Sequence, residues 1–151
     1  MNTTNTDPIH YVAIDVSKAT LQAQDDHRAF AVSNDAKGHR KLVSYLKKCL
    51  NPLVVFEASG GYERDLLRCL HHAGMALAMV NPARVRDFAR SEGVRAKTDP
   101  IDGKMILAFA KSKALQPMEA PSDAVLKLAA LLDRRGHLVE QLAREKNRLQ
   151  N

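Results

Sequence analysis

Tryptophan is absent from this 151-residue chain, and aromatic residues make up only 5% of it. A single-strand platform built on stacked bases is therefore not favoured. Cysteine is nearly absent: Cys49 and Cys69 stand alone, with no CxxC spacing. That excludes a disulfide scaffold and a zinc ribbon, and it fits a reducing cytoplasm. Each cysteine lies in an apolar helical context and reads as a small core residue. No run of about 18 apolar residues occurs, so no membrane-spanning helix is expected. The opening MNTTNTDPIHY has neither a charged n-region nor an apolar h-region, so it does not read as a signal peptide. Internal repeats and low-complexity stretches are missing too. What remains is an ordinary globular composition, 45% hydrophobic and 26% charged.

The charge is less ordinary. Lys and Arg total 23 against 17 Asp and Glu, a net +6. Residues 1–60 carry 7 basic and 6 acidic groups, residues 61–113 carry 10 and 6, and residues 114–151 carry 6 and 5. The excess lies in the middle segment, which points toward nucleic acid.

Periodicity gives the organisation. Residues 1–9 are polar and expected to be flexible. His10–Val16, Thr20–Gln24 and Arg28–Val32 read as strands in a meander. Asp35 opens a helix with Leu42, Val43, Leu46 and Leu50 on its apolar stripe. Leu53–Phe56 is a continuous apolar run, as in a strand buried on both faces. Ser59-Gly60-Gly61 is a turn, and Tyr62, Leu66, Leu67 and Leu70 mark a helix with Gly74 just past its end. Ala76–Val80 is a further strand. Asn81-Pro82 reads as N-cap and first turn of a helix reaching Arg90. Asp99-Pro100 starts another, running to Lys113. From Ser122 onward the pattern is one long helix. Leu128, Leu142 and Leu149 share a seven-residue seam with Arg135, and Leu132 and Val139 form a second. Strands first, then strand–helix alternation, describe an α/β domain over residues 10–117. It would be a mixed sheet flanked by helices, compatible with a ribonuclease H-like fold among others. Residues 122–151 would be a coiled-coil-type helix.

Four carboxylates stand out. Asp15 ends the apolar strand YVAID, where an unpaired charge costs several kcal/mol (roughly); capping the Val16-Ser17-Lys18 turn is an equally good account. Glu57 follows LVVF at the carboxyl end of its strand, where functional groups gather in open sheets; pairing with Arg64 is the plain alternative. Asp99 and Asp102 are three apart, on one helix face, and could equally be N-cap and N3 of that helix. Together the four would suit one or two Mg²⁺ or Mn²⁺ ions and phosphodiester chemistry. Arg84, Arg86, Arg90, Arg95, Lys97 and Lys104 lie between or beside the acidic elements, with Lys18 near the first, and could contact phosphates. None of the six His residues shows ligand spacing. Ser17, Ser59 and Ser91 have no His–Asp arrangement around them.

The strings AIDVSKATL (13–21), VVFEASGGYERDL (54–66), VNPARVRDFARSEGVRAKTDPIDGKMI (80–106) and EQLAREKNRL (140–149) resemble one family in this order. It is the DEDD-type transposases of bacterial insertion sequences, the family numbered one hundred and ten, which includes the pilin-gene invertases. The resemblance implies a RuvC-like domain of ribonuclease H-like fold. It also implies a catalytic, metal-binding tetrad at Asp15, Glu57, Asp99 and Asp102, served by Mg²⁺ or Mn²⁺, with two ions expected. DNA is the implied partner, joined in some members by a structured guide RNA, at the bacterial nucleoid. Residues 122–151 would match the start of a coiled coil that supports homo-oligomers. The family's C-terminal domain, with its nucleophilic serine, has no counterpart here. The chain is therefore expected to be a shortened polypeptide that does not complete recombination alone. Gly103 stands where the family usually has a residue such as Ala. Two other readings compete: a non-catalytic RNA- or DNA-binding dimerisation module, and half of an actin-like or sugar-kinase fold. The last lacks the glycine-rich phosphate turn it would need after Asp15.

Overall fold

The computed structural model describes residues 7–57, 60–93, 103–119 and 122–149, apart from the side chains at 123, 126, 129 and 133. Two compact units divide the chain, residues 1–119 and 120–151.

The first unit is built on five strands: β1 (His10–Val16), β2 (Thr20–Gln24), β3 (Ala29–Ser33), β4 (Pro52–Glu57) and β5 (Ala76–Val80). Their order across the sheet is β3-β2-β1-β4-β5. β1, β2 and β3 are antiparallel neighbours, whereas β4 runs parallel to β1 and β5 parallel to β4. Four helices cover the sheet: α1 (Ala36–Leu46), α2 (Arg64–His72), α3 (Pro82–Ser91) and α4 (Gly103–Ser112).

The period of two along each strand sorts the core into two layers. Val12, Ile14 and Val16 of β1 and Val54 and Phe56 of β4 join Leu42 and Leu46 of α1 and Leu66 and Leu70 of α2. Ala13, Leu53 and Val55 face the other way and join Val85 of α3 and Ile106, Phe109 and Ala110 of α4. β4 is buried on both sides because it is central and parallel, which explains its unbroken apolar run.

Capping follows the chemistry of the sequence. The Asp35 carboxylate accepts from the Gly38 amide at 2.8 Å and opens α1. The Asn81 side chain accepts from Ala83 at 2.8 Å, with Pro82 in the first turn of α3. Gly74 takes φ 69° just beyond α2, and its amide bonds to the His71 carbonyl at 2.9 Å. Three boundaries differ from the sequence expectation. The third strand sits one residue later, at Ala29–Ser33. α1 ends at Leu46, leaving Leu50 65% exposed, because the turn over 47–50 feeds Asn51 (φ 48°) and Pro52 into β4. Tyr62 lies in the turn before α2 and is exposed.

The second unit holds one helix, α5 (Asp123–Leu149). The Ser122 hydroxyl accepts from the Val125 amide at 3.3 Å, as an N-cap does.

Candidate functional site

Strand register brings Asp15 and Glu57 together. β1 and β4 pair in parallel through Ala13–Val55 and Ile14–Phe56, so the next step sets Asp15 beside Glu57. Both occupy odd positions, the parity of Ala13 and Val55, so both project on the α3–α4 side. Two carboxylates thus share one face at the carboxyl ends of adjacent central strands. Glu57 is itself paired with Val80, the last residue of β5, after which Asn81 and Pro82 open α3. That connection brings Arg86 into the field of Glu57.

The electrostatics are uneven. Glu57 Oε2 is buried and has no hydrogen-bond partner among the described residues. Burial raises the Glu57 pKa above its usual 4.5, the Asp15 charge adds to the rise, and the Arg86 guanidinium opposes it. A buried acceptor without a donor is rare and calls for an explanation. A divalent cation with a preference for oxygen ligands fits this pair: hard donors, like charges side by side, and one lone-pair site unused. The turn after Asp15 is closed by Ser17, whose Oγ accepts from the Thr20 amide at 3.0 Å and donates to the Thr20 carbonyl at 2.9 Å.

The expected cations are distributed. Lys18 is exposed in the turn that follows β1. Arg86 lies by Glu57, as described. Arg84 lies 6.0 Å over the Phe109 ring and lines a shallow depression with Asp87, Ser91 and Lys113. Arg90 pairs with Asp87 at 2.9 Å. Lys104 lines a different depression with Gln24, Asp26 and Lys111. Asp99, Asp102, Arg95 and Lys97 lie outside the described residues.

A second cluster was not legible in the sequence. His10, Asp25 and Cys49 bring ligand-type atoms within 4.8 Å of one another. They come from the start of β1, the end of β2 and the turn after α1, so no spacing announces them. Cys49 is thus only partly buried and lies in polar company, unlike the core residue expected. Asp25 Oδ1 accepts from the His27 and Arg28 amides, each at 2.8 Å. Its Oδ2 meets His10 Nε2 at 3.0 Å and the Tyr45 hydroxyl. Burial opposes ionisation of Asp25, but the bonds from Tyr45, His27, His10 and Arg28 prevail and hold its pKa at about 2. Burial also pushes the Cys49 thiol up, away from the thiolate a metal needs. With four donors already on the carboxylate, this cluster ties three segments together.

Three antiparallel strands followed by two parallel ones, in the order β3-β2-β1-β4-β5 with helices on both faces, define a mixed α/β sheet of the ribonuclease H-like type. The family model of the IS110-type DEDD transposases, described as transposase, matches residues 10–151, and the chain belongs to that family. Pilin gene-inverting proteins of Moraxella lacunata and Moraxella bovis are each 29% identical over 147 residues, covering 91% of this chain and 45% of theirs. The chain thus spans about half the length of these curated relatives. Among solved structures, T. thermophilus RuvC in complex with Holliday junction substrate aligns at 15% identity and a TM-score of 0.47. That alignment covers 72% of this chain and 99% of that one. No helix among the described residues is long and apolar enough to cross a membrane.

Proposed function

We propose that this chain is the metal-binding catalytic half of a DNA recombinase, acting on phosphodiester bonds. The observation that carries the reading is the Asp15–Glu57 pair, with Glu57 Oε2 buried and unsatisfied among the described residues. Asp15 and Glu57 would hold Mg²⁺ or Mn²⁺ centrally, and Asp99 and Asp102 would complete the set; two ions are the expected number. Asp102 directly precedes Gly103, and Gly103 heads the helix that packs on the same face of the sheet as the two carboxylates. Bound there, the metal would activate the attacking oxygen and neutralise charge on the phosphate.

The protein's own groups do the rest. Uncompensated, Asp15 and Glu57 repel a polyanion and each other. Arg86 offsets part of that charge and would contact a phosphate beside the scissile bond. Lys18, in the turn after Asp15, would meet the backbone on the β1 side. Arg84, Arg90, Arg95, Lys97 and Lys104 would extend the phosphate contacts. We assign to these residues the metal-binding and strand-positioning part of the reaction, not the whole of it. The same reading takes a structured RNA as guide, a location at the nucleoid, and homo-oligomers formed through 122–151. Apolar residues such as Leu128, Leu132, Val139 and Leu142 are exposed along α5, which favours the last point.

The test is calorimetric titration with Mn²⁺, followed by cleavage of a branched DNA in Mn²⁺. Wild-type binding that Asp15→Asn and Glu57→Gln both lose supports the reading. Binding that survives in both variants overturns it and leaves a binding and dimerisation module.

A further inference from the structure

The near-neutral charge of the first 60 residues conceals a separation. Six of its seven basic residues, Arg28, Lys37, Arg40, Lys41, Lys47 and Lys48, fall between positions 28 and 48. Asp35 is the one acidic residue in that interval, and its carboxylate is engaged by the Gly38 amide and the Ser33 hydroxyl, each at 2.8 Å. The fold then gathers most of these cations. α1 and β3 enclose an open groove of about 560 Å³, lined by Arg28, Lys37, Arg40, Lys41 and Lys48 with no carboxylate. Lys37, Arg40, Lys41, Ser44 and Lys48 recur at three- and four-residue steps, so they form one stripe along α1. Lys37 to Ser44 covers about 10 Å at 1.5 Å per residue. None of these four cations on α1 and the turn after it enters an ion pair among the described residues.

The floor of the groove decides what it would hold. Phe30 and Tyr45 meet edge to face, with ring centroids 4.8 Å apart. The Arg28 guanidinium lies 5.1 Å over the first ring and 5.8 Å from the second. Arg28 therefore already occupies space over these rings, and the groove is not built as an open stacking platform for an unstacked base. What the groove presents is a line of point charges on a rigid helix, suited to phosphates and not to base edges.

We infer that the α1–β3 groove binds the phosphate backbone of duplex DNA. This rests on the proposed reading that the substrate is DNA. α1 packs on the sheet face opposite the one that carries Asp15 and Glu57. The groove would grip a length of duplex apart from the strand undergoing chemistry. Because no metal ligand is involved, this grip should persist without divalent ions.

The experiment is fluorescence anisotropy of a labelled duplex of about 25 base pairs in EDTA, repeated across a salt series. Wild type is compared with the Lys37→Ala, Arg40→Ala, Lys41→Ala, Lys48→Ala quadruple variant and with Lys37→Arg, Lys41→Arg, Lys48→Arg. Removing four cations is expected to weaken binding tenfold or more and to flatten the salt slope by roughly 3–4. The arginine variant should bind as wild type does, and Mn²⁺ titration should be unchanged in both. If the quadruple variant does not fold, single Lys41→Glu replaces it, with a smaller loss in the same direction. Unchanged affinity and slope would overturn the inference. So would an RNA hairpin of equal length that binds tenfold tighter than the duplex and is the ligand lost in the variant. Since binding is read in EDTA, either failure is distinct from failure of the metal site.

Discussion

Glu57 stands one register step beyond the Ile14–Phe56 pair, directly beside Asp15, with its Oε2 buried and without a hydrogen-bond partner among the described residues. Such an arrangement costs stability in the metal-free state, because burial and a neighbouring like charge both disfavour ionisation. A group whose folded pKa is raised loses its contribution as pH rises through that pKa. Glu57→Gln is therefore expected to raise the metal-free Tm at pH 7 by about 3 °C. The same change should weaken Mn²⁺ binding roughly tenfold to a hundredfold. Differential scanning calorimetry with and without Mn²⁺ reads both. A lower Tm in the metal-free variant would contradict this account.

Acid should destabilise the domain in two stages. Burial pushes the His39 pKa below its usual 6.5, against the opposing charges of Asp65 and Asp35, so folded His39 binds protons less readily than unfolded. Its contribution is full above 6.5 and declines below it. Asp25, held at about 2 against an ordinary 3.8, contributes above 3.8 and is lost as pH falls toward 2. Glu57 acts in the opposite sense over the same range, so in a Glu57→Gln background urea midpoints should fall between about pH 7 and 5, and again below about 4. His39→Gln should flatten the first stage alone. Tyr45→Phe should cost about 1 kcal/mol, and Asp25→Ala about 3 kcal/mol, because two backbone amides are then left unpaired. Midpoints that rise on acidification would be inconsistent with both shifts.

Two glycines should respond in opposite directions. A Cβ on Gly38 would come within 1.8 Å of the Ser33 carbonyl oxygen, so Gly38→Ala must push α1 off β3. A loss of about 3 kcal/mol is expected. At Gly103 the nearest atom would be Gln24 Cβ at 3.4 Å, an ordinary contact. Gly103→Ala should stabilise α4 by about 0.5 kcal/mol. Equilibrium urea unfolding measures both, and equal signs would reject the packing argument.

Helix α5 should drive self-association. Leu132 is 58% exposed and Leu142 56% exposed, and both lie on the seams read from the sequence. Sedimentation velocity is expected to show a dimer or larger species at micromolar concentration. Leu132→Glu with Leu142→Glu should shift it to monomer. A monomeric wild type would remove the coiled-coil role.

The strands were legible because their chemistry is local. LVVF announces a central strand, a β-branched run marks β1, and a short apolar run bounded by turn residues marks β5. The side-by-side placement of Asp15 and Glu57 is not legible in the sequence, since it depends on register between strand residues 42 apart (Ile14 and Phe56, for example). It becomes inevitable once Ile14 pairs with Phe56 and the pleat fixes which face each residue takes. The His10–Asp25–Cys49 junction is a purely tertiary meeting of segments that carry no shared pattern. The α1 cations are hidden in the sequence totals for an arithmetic reason. Summing charge over 60 residues cancelled them against acids that the fold places elsewhere. Asn81-Pro82 and Ser122 read correctly as helix starts because a cap bonds only to its own first turn.

β3 closes one side of the sheet, and among the described residues no strand lies beyond it. An open strand edge invites pairing with the same edge of another copy, the usual route to β-sheet aggregation. The cations along α1 and at Arg28 flank that edge, so two copies approaching edge to edge meet like charge before their backbones can pair. The patch therefore guards solubility whether or not DNA is bound. Stripping its charge should leave a protein that precipitates at concentrations the wild type tolerates, and the onset of light scattering would report it.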